Sequence, residues 1–214
     1  LKIMNKNVTF VFGASFIIGN YILPRFLNNL KENIHNDVSI NVSVSHEAIE
    51  DLLDKKIDIA LVENYVSNDD IIYREWMEDE IVIFSNQRLP QKAKAEDLLS
   101  YKWVCRNPES NTRLIFKENL EKANFPDCDT FNVTSEVTSA TTIVQTVLHS
   151  DKNATPTVSI VSRNAIESLL KSEALFESRI GNQKMLRKLY IAYRKDRKHD
   201  AFIENVVDYL LKIK

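Results

Sequence analysis

Val8-Thr9-Phe10-Val11-Phe12, closed by Gly13, and the following Ala14-Ser15-Phe16-Ile17-Ile18-Gly19 decide the fold. The first run is β-branched and aromatic and reads as a strand. Beyond Gly19, apolar Tyr21, Ile22, Phe26, Leu27 and Leu30 recur at helical spacing, which predicts a helix over 19–33. Pro24 falls near its first turn, where a missing N–H costs little. Val38 to Val44 alternates strictly and reads as a second strand. Ser45 suits the N-cap of a helix over 46–54, with Ala48, Ile49, Leu52 and Leu53 on one face. Ile57 to Val62 follows as a buried strand. This β-α-β-α-β order predicts a parallel sheet with right-handed crossovers.

The pattern restarts after Ile81-Val82-Ile83-Phe84. Helices are predicted over 95–99, 112–123, 139–148, 165–171 and 199–212. Strands are predicted over 103–105, 130–134, 158–161 and 189–193. Two α/β halves of similar size result, with no flexible linker between them. The expected division is 1–84 with 186–214 as subdomain I, and 85–185 as subdomain II.

Composition narrows the function classes. The 214 residues carry a formal net charge of −2, with both signs mixed along the chain. That balance gives no electrostatic case for nucleic-acid binding by these residues. Cys105 and Cys128 are the only cysteines, which favours a reduced, cytoplasmic setting over a disulfide framework. No run approaches the ~20 apolar residues of a membrane span. No secretory signal pattern opens the chain, and the first residue is not Met, so a fragment of a longer protein is expected.

Ligands of open parallel sheets bind beyond the carboxyl ends of the strands. Three polar strand-to-helix junctions lie at such places. The first is Gly13 to Gly19, where Ser15 either caps the helix or offers its hydroxyl to a ligand. The second is Arg106 to Arg113, where Ser110, Asn111 and Thr112 all suit an N-cap. The third is Thr134 to Ser139. Helix N-termini there suit a carboxylate or other anion, with Glu63 and Asn64 completing the wall. Arg113 is a candidate partner for an anion, whereas Phe16, Tyr65 and Trp76 would favour something aromatic or apolar.

No dinucleotide fingerprint, P-loop, nucleophile elbow or zincin motif occurs, and only three glycines are present. His35, His46, His149 and His199 fit no metal spacing. Cys105 reads as a small buried apolar residue, and Arg194 to Lys198 as a solvated turn before the last helix. No catalytic residue, metal or cofactor is expected, and the chain reads as a binder rather than an enzyme.

Several blocks, in order, resemble the effector-binding domain of LysR-type transcriptional regulators. Gly13 to Pro24 resembles that family's GAS-x-x-IG-x-YLLP, and Leu52 to Glu63 its L-x-x-G-x-LDLALVE. Glu78 to Ile83 resembles DEL-x-LV, Ser110-Asn111-Thr112-Arg113 resembles SGTR, and Leu189 to Arg197 resembles YL-x-YRKDR. The resemblance covers nearly the whole chain. It implies an α/β fold of the type 2 periplasmic-binding-protein kind, with two Rossmann-like subdomains, two crossover strands and an effector in a central interdomain cleft. It implies effector contacts at Ala14, Ser15, Phe16, Asn111, Thr112, Arg113, Thr138 and Ser139. It further implies DNA binding only through an amino-terminal winged helix-turn-helix that these residues do not contain. Assembly as a homodimer or homotetramer is implied too, with the 19–33 helix on the paired surface.

The chain departs from the pattern at three places. Phe16 stands where a small hydroxyl residue is common, Asn111 replaces the usual glycine, and 149–157 is longer than usual and lacks glycine. The aromatic is expected to shrink or dry the pocket, and the insertion to form part of a cleft wall. The competing reading is a stand-alone solute-binding protein of the transporter type, which shares the two-lobed architecture.

Overall fold

The computed structural model describes residues 9–213; Val8, assigned above to the first strand, lies outside them. The strands are β1 (Phe10–Ala14), β2 (Val38–Val42), β3 (Ile59–Val62), β4 (Ile71–Ser85), β5 (Lys92–Ala93), β6 (Lys102–Arg106), β7 (Asn132–Val137), β8 (Thr157–Ser162), β9 (Phe176–Ile180) and β10 (Met185–Arg194). The helices are α1 (Leu27–Ile34), α2 (Ser45–Leu53), α3 (Ala95–Ser100), α4 (Asn111–Lys122), α5 (Ala140–Leu148), α6 (Arg163–Lys171) and α7 (Ala201–Lys212). They form two compact units, one running through Glu78 and resuming over 188–214, the other Asp79–Arg187.

In the first unit β1 lies parallel between β2 and β3, with Ala14 opposite Val42 and Leu61. β10 joins β3 antiparallel, Ile191 facing Leu61. Ala48 and Leu52 of α2 pack on Ile57, Ala60, Val62, Ile71 and Ala192, so the expected β-α-β-α-β unit is present. The helix expected over 19–33 is not continuous. A π-helical turn spans Ile18–Ile22, a 3-10 turn Leu23–Arg25, and α-helix begins only at Leu27. Pro24 sits at the start of the 3-10 turn, where it has no N–H to continue an i→i−4 ladder. Gly19 rides directly on the sheet: a Cβ there would lie 2.7 Å from Val42 Cγ2 and 3.3 Å from Ala14 Cβ.

Two further expectations are corrected in this unit. Ser45 is not the N-cap of α2, since Val44 takes that position without a side-chain cap. The Ser45 hydroxyl instead accepts the Glu63 N–H at 3.3 Å, tying the start of α2 to the end of β3. The basic run is not simply a solvated turn. Arg197 donates to Asp58 and Asp200, each at 2.7 Å. Asp58 accepts the Val11 N–H, and Asp200 caps α7.

In the second unit β6 lies parallel between β7 and β8. β4 runs antiparallel to β8 and β9, and β5 pairs parallel with β9. Trp103 stacks on Phe131 with ring centroids 4.9 Å apart, beside Phe116. Its indole N–H is satisfied by the Leu98 carbonyl at 2.8 Å, as a buried Trp requires. The insertion is strapped down by the end of β4. Ser85 donates to the Thr157 carbonyl, Asn86 to those of Leu148 and Ser150, and Gln87 to those of Asp151 and Ala154. It therefore sits at the amino end of β8, at the opposite edge from the junctions that follow β6 and β7.

The units divide inside β4 and β10, after Glu78 and after Arg187, rather than at the expected 84/85 and 185/186. A buried ion pair lies at these boundaries: Arg187 Nε is 2.8 Å from Asp79 Oδ2, with side chains 3% and 0% exposed. The first and last residues of the second unit thus hold each other. Neither charge is tolerated in the interior alone.

Three helices end in Schellman motifs without glycine. After α2, Lys55 N–H reaches the Leu52 carbonyl and Lys56 N–H that of Asp51. Asn124–Phe125 and Glu173–Ala174 repeat this after α4 and α6. Lys55, Asn124 and Glu173 accordingly sit at φ 61°, 58° and 57°. Lys55 occupies the position where the resembled motif carries glycine.

Replacing Lys55 by Gly is expected to raise stability by about 0.5–1 kcal/mol through relief of left-handed strain. Gly19→Ala is expected to lower it by about 1–3 kcal/mol through overpacking. Urea unfolding of both variants tests the pair. Arg187→Met is expected to cost about 3–5 kcal/mol, with most of that recovered in Asp79→Asn/Arg187→Met, because the damage is an uncompensated buried charge. Equal losses in the single and double variants would contradict this.

Candidate functional site

In the first unit the carboxyl ends of β1, β2 and β3 finish together. Ser15 follows β1 at that edge. Its N–H donates to the Leu61 carbonyl at 3.0 Å, and its carbonyl accepts the Gly19 N–H at 2.7 Å. These bonds fix its backbone, while its hydroxyl is buried and has no hydrogen-bond partner. Ser15 therefore does not cap the following turn. A buried hydroxyl left unmatched by protein groups is costly, which leaves it open to a partner from outside the chain. Ala14 is fully buried and contributes its backbone, the carbonyl accepting the Ser43 N–H.

Phe16 is half-exposed beside Ser15 rather than packed inward. Glu63, half-buried, begins the loop after β3, and Asn64 and Tyr65 are exposed there. The Tyr65 ring lies 4.7 Å from Tyr73 and 5.8 Å from Tyr190. Burial pushes the Tyr73 hydroxyl pKa upward. Trp76 is not available to a ligand in the expected way. Its indole N–H is taken by the Leu210 carbonyl at 2.8 Å, and its ring meets Phe26 edge-on.

In the second unit the parallel strands bring the other junctions to one edge, since Arg106 ends β6 opposite Val137, the end of β7. Ser110 caps α4 by accepting the Arg113 N–H, and Ser139 caps α5 by accepting that of Thr142, each at 3.4 Å. Thr138 and Ser139 are exposed. Thr112 is buried and Asn111 half-buried. Both side chains accept from Arg187 Nη1 at 3.1 Å. Asp79, below them, accepts from Arg187, Asn164 and Ser162.

Sequence reasoning missed Asp79 and Arg187, although a signal existed. Met185, Arg187 and Leu189 are buried, in alternation with exposed Leu186 and Lys188 and half-buried Tyr190. Extending the last strand backward would have put Arg187 in the buried phase. Arg113 differs from expectation. Its guanidinium donates to the Arg106 carbonyl at 2.7 Å and pairs with Glu136 and Asp129 at 3.4 and 3.5 Å. It is committed to its own unit instead of standing ready for an anion.

The thiols sit elsewhere. Burial pushes the Cys105 pKa up to about 11 and raises that of Cys128, so both are thiols at neutral pH. Among the described residues one group has metal-capable ligand atoms close together, Asp127, Cys128 and Asp129. Lys117 already pairs with both of its carboxylates, at 3.4 and 3.0 Å. The two carboxyl edges thus gather hydroxyls, an amide and helix N-termini, groups that hold a ligand by hydrogen bonds.

Comparison with known proteins agrees with the motif reading. The LysR substrate binding domain family matches residues 7–213. The HTH-type transcriptional regulator YeiE of Escherichia coli K12, itself described as uncharacterized, is 26% identical over 200 residues. That alignment covers 92% of this chain and 65% of YeiE, so the chain spans about two thirds of that relative's length. CysL of Bacillus subtilis is 31% identical over 106 residues, covering 47% of this chain and 35% of CysL. Among solved structures, the effector binding domain of QuiR in complex with shikimate superposes with a TM-score of 0.73 at 20% identity, over 96% of each chain. The Synechocystis PCC6803 CcmR regulatory domain in complex with 2-PG gives 0.76 at 17% identity, again over 96% of each. The fold is therefore that of LysR regulatory domains, the type 2 periplasmic-binding-protein-like class, and the chain belongs to the LysR substrate-binding-domain family.

Proposed function

We propose that this chain is the effector-sensing part of a LysR-type transcriptional regulator. It binds a small molecule at the carboxyl edges of its parallel strands and passes occupancy to a DNA-binding part outside these residues. The observation that carries the reading is Ser15: a hydroxyl buried to 2% exposure, without a partner, in the loop that opens the first βα unit. Folding gains nothing from such a group, whereas a ligand oxygen or nitrogen would complete it. Sites that need unmatched polar groups keep them at a cost in stability. The family match supports a regulator over a transporter-type solute-binding protein. The neighbours solved with shikimate and with 2-PG support a small molecule as the ligand class.

In this reading the chain senses and does not catalyse. Its response is a population shift, since a ligand moves an equilibrium only through different affinity for two states. A carboxylate or other anion is the proposed effector class, because first-turn N–H groups of α4 and α5 open onto the same edge. The full-length regulator is proposed to act in the cytoplasm as a homodimer or homotetramer. Among the described residues, no helix is long and apolar enough to cross a membrane.

Ser15→Ala provides the test. The folded chain is expected to keep its thermal midpoint or gain, by up to about 1 kcal/mol in stability. Its thermal shift with the best ligand from a small-metabolite panel including shikimate and 2-PG is expected to fall or vanish. An unchanged ligand shift in Ser15→Ala would contradict the assignment.

A further inference from the structure

Arg187 lies outside the blocks that carry the family resemblance, yet it touches three residues within them, Asp79, Asn111 and Thr112. The guanidinium has donors and no acceptor. Wherever it binds Asn111 and Thr112, it must take their oxygens, and it does so from one nitrogen, Nη1, at 3.1 Å to each. That fixes which way the Asn111 amide faces, with its oxygen inward. It also turns the Thr112 hydroxyl into an acceptor toward the interior, so its hydrogen is left to point elsewhere. One lone pair of each oxygen is thereby taken, and the groups turned away from Arg187 toward a ligand are the Asn111 NH2 and the Thr112 O–H, both donors. The N-terminal turn of α4, where these residues sit, adds backbone N–H donors.

Arg187 is itself held. Asp79 fixes Nε at 2.8 Å, and Asn164 and Ser162 hold the same carboxylate from the other side. Arg187 and Asp79 are 5% and 0% exposed. The pair is charge-balanced, so Arg187 contributes orientation without a net positive field. We infer that Arg187, locked by Asp79, is a positioning residue that turns the donors of Asn111 and Thr112 outward and makes the start of α4 a donor-rich surface. The effector group preferred there is accordingly an acceptor, a carboxylate, carbonyl or similar oxygen, over a donor. This inference rests on the effector site proposed above.

The test uses two planar probes of matched shape on the 214-residue chain: benzoate, which only accepts, and benzamidine, which only donates. Backbone amides of residues 110–113 are followed by NMR during titration. In the parent chain benzoate is expected to shift these amides with a Kd at least tenfold below that of benzamidine. In Asp79→Asn/Arg187→Met the Asn111 amide is free to turn, and the preference is expected to fall at least fivefold with the fold retained. Arg187→Lys, which keeps the charge but cannot reach both oxygens, is expected to lose preference in the same direction. Equal binding of the two probes by the parent, or a preference unchanged in both variants, would overturn the role of Arg187 alone. No response of these amides to either probe would overturn the effector-site reading on which it rests.

Discussion

The buried pair between Asp79 and Arg187 links four separate elements of the second unit, β4, β10, α4 and the start of α6. It joins the first and last residues of the second unit at 2.8 Å, with both side chains almost wholly shielded from water. A charge so placed has to be matched, and here each member is matched several times over. Asp79 receives Ser162 and Asn164 besides Arg187, and Arg187 continues to Asn111 and Thr112. The cost of burying ions is thus offset by a hydrogen-bonded cluster that joins β4 and β10 to the N-termini of α4 and α6. The strands that carry the chain between units are fastened to the residues that present a ligand surface.

A division of labour follows within each unit. The carboxyl edges of the parallel strands collect hydroxyls, amides and helix N-termini, as parallel βα units do by geometry. In the first unit the edge holds a buried serine hydroxyl with nothing to bond. In the second it holds groups whose oxygens are already engaged. In the second unit the opposite edge is strapped down. Ser85, Asn86 and Gln87 satisfy the carbonyls of the long 149–157 segment, so that segment stabilises the amino end of β8.

Much of the architecture was legible in the sequence because periodicity and turn chemistry agree in it. Alternation at 38–44 and the apolar run at 57–62 located strands, and Ser110 and Ser139 are caps as well as junction residues. What was not legible depended on tertiary contacts. Periodicity over 19–33 gives one helix, whereas a 3-10 turn containing Pro24 separates a π-helical turn from α1, and Gly19 lies too close to Val42 for a side chain. Ser45 looks like a cap by type, but the Glu63 N–H claims it. Arg113 looks like an anion receptor until Glu136, Asp129 and the Arg106 carbonyl surround it. Lys55, Asn124 and Glu173 take left-handed positions that glycine would mark in sequence, so three helix ends carried no glycine signal.

The central claim is that a small molecule completes hydrogen bonds at these edges. A crystal structure of the chain with the ligand giving the largest thermal shift tests it most directly. The claim predicts ligand density within hydrogen-bond distance of Ser15 Oγ, or of the Asn111 amide and Thr112 hydroxyl, with Arg187 still on their oxygens. Density seated elsewhere, with the Ser15 hydroxyl still unpartnered, would contradict it.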